Sequence, residues 1–200
     1  MRLTLVRHGQ TDWNLQGRFQ GQCEVPLNER GLAQAREIAA ALSGEAFDRA
    51  VSSDLARAMQ TARIIAPRLE IVPEPRWREF HFGRWEGLTW LEIVERWPEA
   101  AAAGATDARN YAPEGGETFE QLRNRVSEAL DGLRNAQVAN ALVVTHAGPL
   151  HAVLDTLFGQ GSAIARGVRF SPAGITRIRF DAAVPQLELL DGVSHLSSAY

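Results

Sequence analysis

The chain has 200 residues, 24 acidic against 21 basic, a net charge of −3 and a 45% hydrophobic composition. That size suits a single domain spanning 1–200, and surface scaling lets roughly 70% of the extended chain's surface be buried, enough for a core without staples. The charge balance excludes a generally basic nucleic-acid binder and a polybasic membrane anchor.

Leu3-Thr4-Leu5-Val6 reads as a short buried strand that stops at Arg7-His8-Gly9. A polar loop with Gly17, Gly21 and Pro26 follows. Asn28 is placed to cap a helix over 29–42, with Ile38, Ala39 and Leu42 on its buried face. Ala50-Val51-Ser52 is a brief strand, and Ser53 is read as the cap of a helix over 54–67. Glu70-Ile71-Val72 is a third short strand.

Residues 73–89 form a loop dense in charge and aromatics: Trp77, Phe80, His81, Phe82 and Trp85. Thr89 starts a short helix to Trp97, and an Ala-rich stretch runs on to Asp107. Thr118 and Gln121 have the spacing of a capping box, opening a helix to about Ala136. Ala141 to Thr145 is an apolar strand ending at His146, and Gly148-Pro149 opens the next helix. The tail alternates over Ile175–Phe180 and Gln186–Leu190, giving two or three strands. Strands alternating with helices predict a three-layer α/β/α domain with a mostly parallel mixed sheet. Residues 89–117 read as a small helical lid over one edge.

Two compositional absences narrow the chemistry. All 21 basic residues are Arg, which excludes Schiff-base and pyridoxal-phosphate chemistry and the lysine of a Walker-type phosphate loop. A single cysteine, Cys23, allows no internal disulfide and no Cys-rich metal site. The start MRLTLVRHGQ holds too short an apolar run for a signal-peptide core. With no apolar run of about 18 residues to span a membrane, a cytoplasmic protein is expected.

In open α/β sheets, ligands bind beyond the carboxyl ends of strands. Here those ends carry Arg7-His8, then Ser52-Ser53 just before Arg57, then His146. Arg57 falls in the first turn of its helix, where a cation opposes the helix dipole at a cost of roughly 0.3–1 kcal/mol. A rule broken in that way marks a functional position. At His146, the helix opened by Gly148-Pro149 has N–H groups without internal partners, which suit an anion. Two arginines, two histidines and a helix N-terminus at one point demand a negative occupant. A phosphoryl group meets that demand, because each Arg fork can hold two of its oxygens.

The run Leu5-Val6-Arg7-His8-Gly9-Gln10-Thr11 with Trp13-Asn14 resembles the signature of the histidine phosphatase superfamily, the phosphoglycerate mutase-like proteins. The resemblance continues in order through Gln20-Gly21, Pro26-Leu27 and Gly31, then 52–58 and Gln60-Thr61-Ala62. Arg78-Glu79, Phe82-Gly83 and Trp85-Glu86-Gly87 are similar to that family's acid/base loop. Pro113, Gly115-Gly116-Glu117 and Val144-Thr145-His146 complete the match.

The resemblance implies a metal-independent phosphomonoester hydrolase, needing no cofactor, with a small-molecule phosphomonoester as its partner. His8 takes the place of the nucleophile that is transiently phosphorylated. Arg7, Arg57 and His146 take the place of the clamp on the transferring oxygens, with Asn14 and the backbone at Ala147 as further phosphate donors. Glu79 takes the place of the proton donor to the leaving alkoxide and the base for water. Phe80, Phe82, Trp77 and Trp85 are apolar neighbours that would disfavour its charged form. Phe19, Gln20, Gly21, Phe82 and Trp85 are the expected substrate-binding residues.

Departures bear on the substrate. His146-Ala147-Gly148 replaces the more usual His-Gly-Gly, and Gln20 stands where the glycolytic mutases usually carry Thr. Those mutases hold a carboxylate with a lysine and paired arginines, whereas 89–117 offers only Arg96 and Arg109. The short form resembles the broad-specificity and α-ribazole phosphatases. Phosphoglycerate mutase remains an alternative, as does a non-catalytic phosphoester-binding module. A zinc hydrolase using His8, His146 and Glu79 is disfavoured by the two arginines and the absence of HExxH. His81 and His151 are expected to be structural, Cys23 to pack, and the Trp-rich lid or an edge strand to allow a homodimer.

Overall fold

In a computed structural model, described over residues 1–159, 164, 167–181 and 184–197, six strands form one mixed sheet in the order β3-β2-β4-β1-β5-β6. The strands are β1 (Arg2–Arg7), β2 (Arg49–Ser52), β3 (Ile71–Pro73), β4 (Asn140–Thr145), β5 (Ile175–Arg179) and β6 (Gln186–Gly192). β3, β2, β4 and β1 run parallel, whereas β5 lies antiparallel to both β1 and β6. Among the described residues the tail therefore makes two strands.

Among the described residues, these α-helices accompany the sheet: α1 (Asp12–Leu15), α2 (Glu29–Ala41), α3 (Ala56–Ile65), α4 (Trp90–Arg96), α5 (Pro98–Thr106), α6 (Phe119–Asn135) and α7 (Ala147–Phe158). The central strands are apolar on both faces. Leu3, Leu5, Ala141 and Val143 pack with Leu122, Val126 and Leu130 of α6 and Leu150, Val153 and Leu154 of α7. Val6, Leu142 and Val144 pack with Ile38 of α2 and Ala58, Ala62 and Ile65 of α3. These clusters make the three layers, and each large side chain fully buried in them contributes about 1.5–3 kcal/mol. No helix among the described residues is long and apolar enough to cross a membrane.

Local chemistry sets most boundaries as the sequence predicts. Asn28 caps α2 through Gly31 N, and capping boxes open α4 at Thr89 with Glu92 and α6 at Thr118 with Gln121. Two expectations are corrected. The loop after β1 contains α1, whose cap Thr11 is answered by the Asn14 side chain. Ser53 does not cap α3, which begins at Ala56 behind Leu55.

The lid is its own small cluster. Trp85, Ile93 and Ala101 form its core, with Phe19, Phe82, Leu88, Trp97 and Tyr111 packed around them. An antiparallel bridge between Arg18 and Thr89 attaches it to the segment after α1.

Candidate active site

The parallel strands stop together, and the ladder runs one residue beyond them. His8 N donates to Thr145 O at 3.0 Å, Ser53 N to Val144 O at 2.9 Å, and Glu74 N to Ser52 O at 2.8 Å. His8, Ser53, His146 and the loop that leads to Glu79 therefore share one edge of the sheet. The rings of His8 and His146 have centroids 5.0 Å apart.

Both histidines are held neutral. Burial first, then the Arg57 and Arg7 charges, push the pKa of His8 well below the usual imidazole value. Burial does the same at His146, followed by Arg57, His8 and Arg7. A backbone carbonyl selects the tautomer of His8. His8 Nδ1 lies 2.7 Å from Gly9 O, a carbonyl that can only accept, so Nδ1 carries the proton and Nε2 carries the lone pair. His146 Nε2 lies 2.8 Å from Ser53 Oγ, and its Nδ1 is buried without a hydrogen-bond partner. Ser53 Oγ also accepts from Leu55 N at 3.4 Å; where its own proton goes to Nε2, His146 Nδ1–H is left as an unmet donor among the described residues.

Arg57 is the second residue of α3 and is fully buried. Its guanidinium donates to Cys23 O at 2.8 Å and Gly21 O at 2.7 Å, while its Nε has no hydrogen-bond partner. Burial lowers its pKa to about 10, so it stays cationic at neutral pH. Thr61 Oγ donates to Arg57 O and accepts from Gly9 N, tying α3 to the end of β1. Arg7 donates to Phe170 O at 2.6 Å. Asn14 Oδ1 accepts from Thr11, and its Nδ2 makes no hydrogen bond among the described residues. Buried cations and buried donors without acceptors are costly unless an anion completes them.

Glu79 enters from the loop after β3. Its Oε1 accepts from Phe80 N at 2.8 Å and from Gly148 N at 2.9 Å. Of the N–H groups at the start of this helix, that of Gly148 is thus taken by Glu79, and Ala147, the position expected to meet the phosphate, is the first residue of α7. A Cβ on Gly148 would stand 2.3 Å from Glu79 Oε1. The second glycine of the His-Ala-Gly sequence is the one that the carboxyl requires.

Beyond Glu79 opens a cavity of about 250 Å³, whose walls include Phe80, Phe82, Trp85, Tyr111, Phe119 and Leu122. Among the described residues its other titratable side chain beside Glu79 and Tyr111 is His151, set edge-on against Phe170. Phe82 and Trp85 are in this lining. Phe19 instead packs behind them, with ring centroids 4.8 Å from Phe82 and 6.2 Å from Trp85. Gly21 supplies a carbonyl to Arg57, and Gln20 is buried with its Oε1 unpartnered. Arg109 is paired with Asp155 at 3.0 Å rather than aimed into the cavity. Cys23 donates its thiol to Glu86, and burial, with Glu86, raises its pKa to about 11. His81 sits 3.8 Å from Glu86. Among the described residues, no three His, Cys, Asp or Glu side chains form a metal-holding group.

The profile of the histidine phosphatase superfamily (branch 1) matches residues 3–191. The chain belongs to that superfamily. A metal-independent phosphoserine phosphatase of Arabidopsis thaliana is 43% identical over 202 residues, covering 98% of this chain and 83% of the relative. An adenosylcobalamin/alpha-ribazole phosphatase of Salmonella typhimurium is 34% identical, covering 82% of each. A probable phosphoglycerate mutase of Proteus mirabilis is 33% identical, over 98% of this chain and 95% of that one. The solved alpha-ribazole phosphatase of Shigella flexneri superposes with a TM-score of 0.89 at 29% identity, covering 96% of both chains. The chain is thus an enzyme of the histidine phosphatase type, with the fold its sequence predicts.

Ser53 is the site residue that sequence reasoning misassigned. Its hydroxyl suits a helix cap, and nothing local shows a partner 93 residues away. Tyr111, Phe119 and Leu122 were also not anticipated, because they reach the cavity from the lid and from α6.

Proposed function

We propose that the enzyme hydrolyses phosphomonoesters through a phosphohistidine on His8, with the leaving alcohol in the apolar cavity. The observation that carries this reading is the pair of buried histidines, held neutral with ring centroids 5.0 Å apart beside a buried arginine. His8 offers a ring lone pair, and His146, in the tautomer that accepts from Ser53, offers an N–H.

In the first step His8 Nε2 attacks phosphorus, the N–P bond forms, and the P–O bond to the alcohol breaks. Glu79, holding Oε1 on the two backbone N–H groups, passes the Oε2 proton to the departing alkoxide. Arg57, His146 Nδ1–H, Arg7 and Asn14 take the charge spread over the phosphoryl oxygens. In the second step water attacks phosphorus, Glu79 takes its proton, and the N–P bond breaks to release phosphate. His8 suits the nucleophile role because burial and its arginine neighbours keep it unprotonated without a separate base.

Hydrolysis is favoured over phosphoglycerate mutation by the cavity wall, which among the described residues contains no Arg, and the chain has no Lys. A retained phosphoglycerate carboxylate would meet no guanidinium or ammonium among the described residues of that wall. The reading also takes the cytoplasm as its location, where the Cys23 thiol stays reduced. Phosphate release from p-nitrophenyl phosphate in EDTA, for wild type and His8→Ala, tests the mechanism. Turnover by wild type alone is expected. Activity retained by His8→Ala, or abolished by EDTA, would overturn it.

A further inference from the structure

Arg125 lies on α6, outside the constellation of histidines and arginines, and its guanidinium is the most heavily bonded cation near the acid/base loop. It donates to Arg76 O at 2.9 Å, Arg78 O at 2.7 Å and Glu79 O at 2.9 Å. It also makes a two-point pair with the Glu117 carboxylate, at 3.1 and 2.6 Å. Both side chains are largely buried, 19% and 15% exposed. The same Glu117 oxygen that meets Arg125 accepts from His81 N at 2.9 Å.

The loop 76–81 is therefore wrapped around one cation. Three of its carbonyls converge on the guanidinium, and the N–H two residues beyond Glu79 is held by the guanidinium's partner. Three carbonyl dipoles aimed at one point repel one another unless a positive charge stands there. A planar fork with five fixed donors meets that geometry, which a lysine would not. The backbone of Glu79 is fixed on both sides, so only its side-chain torsions remain to be set. Phe80 N and Gly148 N set those.

We propose that Arg125, braced by Glu117, is a positioning residue that holds Glu79 where its carboxyl can protonate the leaving alcohol. This rests on the reading of Glu79 as proton donor. Arg125 reaches Glu79 only through the loop backbone, since its donors end on carbonyls and on Glu117, while its charge adds the smallest of the contributions that keep His146 neutral. The role is distinct from general support of the fold, because proton donation matters in proportion to the basicity of the leaving group. A nitrophenolate departs without help, and an alkoxide does not.

The test compares Arg125→Met, Arg125→Lys and Glu79→Gln on 2,4-dinitrophenyl phosphate and 2-phenylethyl phosphate. General acid catalysis contributes about 10²–10⁴-fold, so a displaced Glu79 is expected to lower kcat/KM on the alkyl ester by about 30-fold or more. On the dinitrophenyl ester the change should stay within about threefold. Adding Arg125→Met to Glu79→Gln should cost little further on the alkyl ester. Equal losses on both esters, or wild-type rates on both, would overturn the proposal. If Glu79→Gln shows the leaving-group dependence and the Arg125 variants do not, only the positioning role falls. If Glu79→Gln itself lacks it, the proton-donor reading falls and this one with it. Should Arg125→Met not fold, Glu117→Gln gives the second readout, with the same selective loss expected in milder form and an unselective loss counting against the proposal.

Discussion

Glu79 Oε1 and the backbone N–H of Gly148 meet at 2.9 Å, joining the acid/base loop to the first turn of the helix behind His146. The contact is close enough to exclude any side chain at position 148, where a Cβ would stand 2.3 Å from that oxygen and 3.4 Å from Phe80 Cβ. Gly148→Ala should therefore leave the fold intact, since alanine favours the helix by about 0.5–1 kcal/mol. It should displace the carboxyl and lower kcat/KM on an alkyl phosphate by about tenfold to a hundredfold. Steady-state kinetics with a thermal melt would check it. A variant with unchanged kinetics would show that the carboxyl finds another working position.

On the proposed reading Ser53 Oγ donates to His146 Nε2, so that Nδ1 carries the proton. Removing its hydroxyl leaves Nε2 buried without a partner, at a cost of about 1–3 kcal/mol. Ser53→Ala should lower kcat on p-nitrophenyl phosphate by about tenfold to a hundredfold, as loss of one aligned charge-stabilising donor does. The ring ¹⁵N shifts of His146 should move toward the other tautomer or a mixture. Unchanged shifts with unchanged kcat would mean that the phosphoryl group, and not Ser53, orients the ring.

The buried histidines also set the acid side of stability. Burial and neighbouring arginines hold His8 and His146 well below the ordinary imidazole pKa, and burial lowers His195 too. In the unfolded chain they titrate near 6.5. Below that value the unfolded state binds more protons than the folded one, so stability rises with pH up to about 6.5 and is fully present above it. The lowered carboxyls Asp54 and Glu74, paired with Arg78 and Arg76, act only at lower pH. The urea midpoint should thus fall as the pH drops from about 6.5 to 5, with the unfolding free energy decreasing by at most about 1.4 kcal/mol per pH unit for each histidine. His8→Asn, whose amide can still donate to Gly9 O, should shallow that slope. A midpoint constant over this range would contradict the neutral, buried assignment.

What was legible in the sequence follows the range of the rules that read it. His8, Arg57 and His146 each stand within a few residues of a short apolar strand, and the capping boxes at Thr89 and Thr118 close within a single turn. Such local signals placed the sheet edge and three of its functional groups. Arg125 could not be found in this way. It sits in the charged run Arg123-Asn124-Arg125 of an amphipathic helix, where a solvated face is the natural reading. Its carbonyl partners lie 46 to 49 residues upstream. Ser53 has a hydroxyl equally fit for a cap or for an imidazole, and only the third dimension chooses. The four-residue helix α1 is too short for periodicity to register.

On the proposed reading, substrate choice follows from the cavity. Among the described residues its walls, which include Phe80, Phe82, Trp85, Phe119 and Leu122, offer apolar contact and no guanidinium or ammonium for a carboxylate. Each methylene moved from water into such a wall is worth about 0.8 kcal/mol, close to fourfold in kcat/KM. In a series of straight-chain alkyl phosphates, kcat/KM should therefore climb by up to about fourfold per carbon and level off as the cavity of about 250 Å³ fills. Phosphoserine would have to bring an ammonium and a carboxylate against the same wall, with at most Glu79 as a counter-charge for the ammonium. Burying unpaired charge is costly, so phosphoserine should be turned over more slowly than propyl phosphate. A flat alkyl series with phosphoserine ahead would mean that the leaving group lies outside this cavity, on the open side of Glu79.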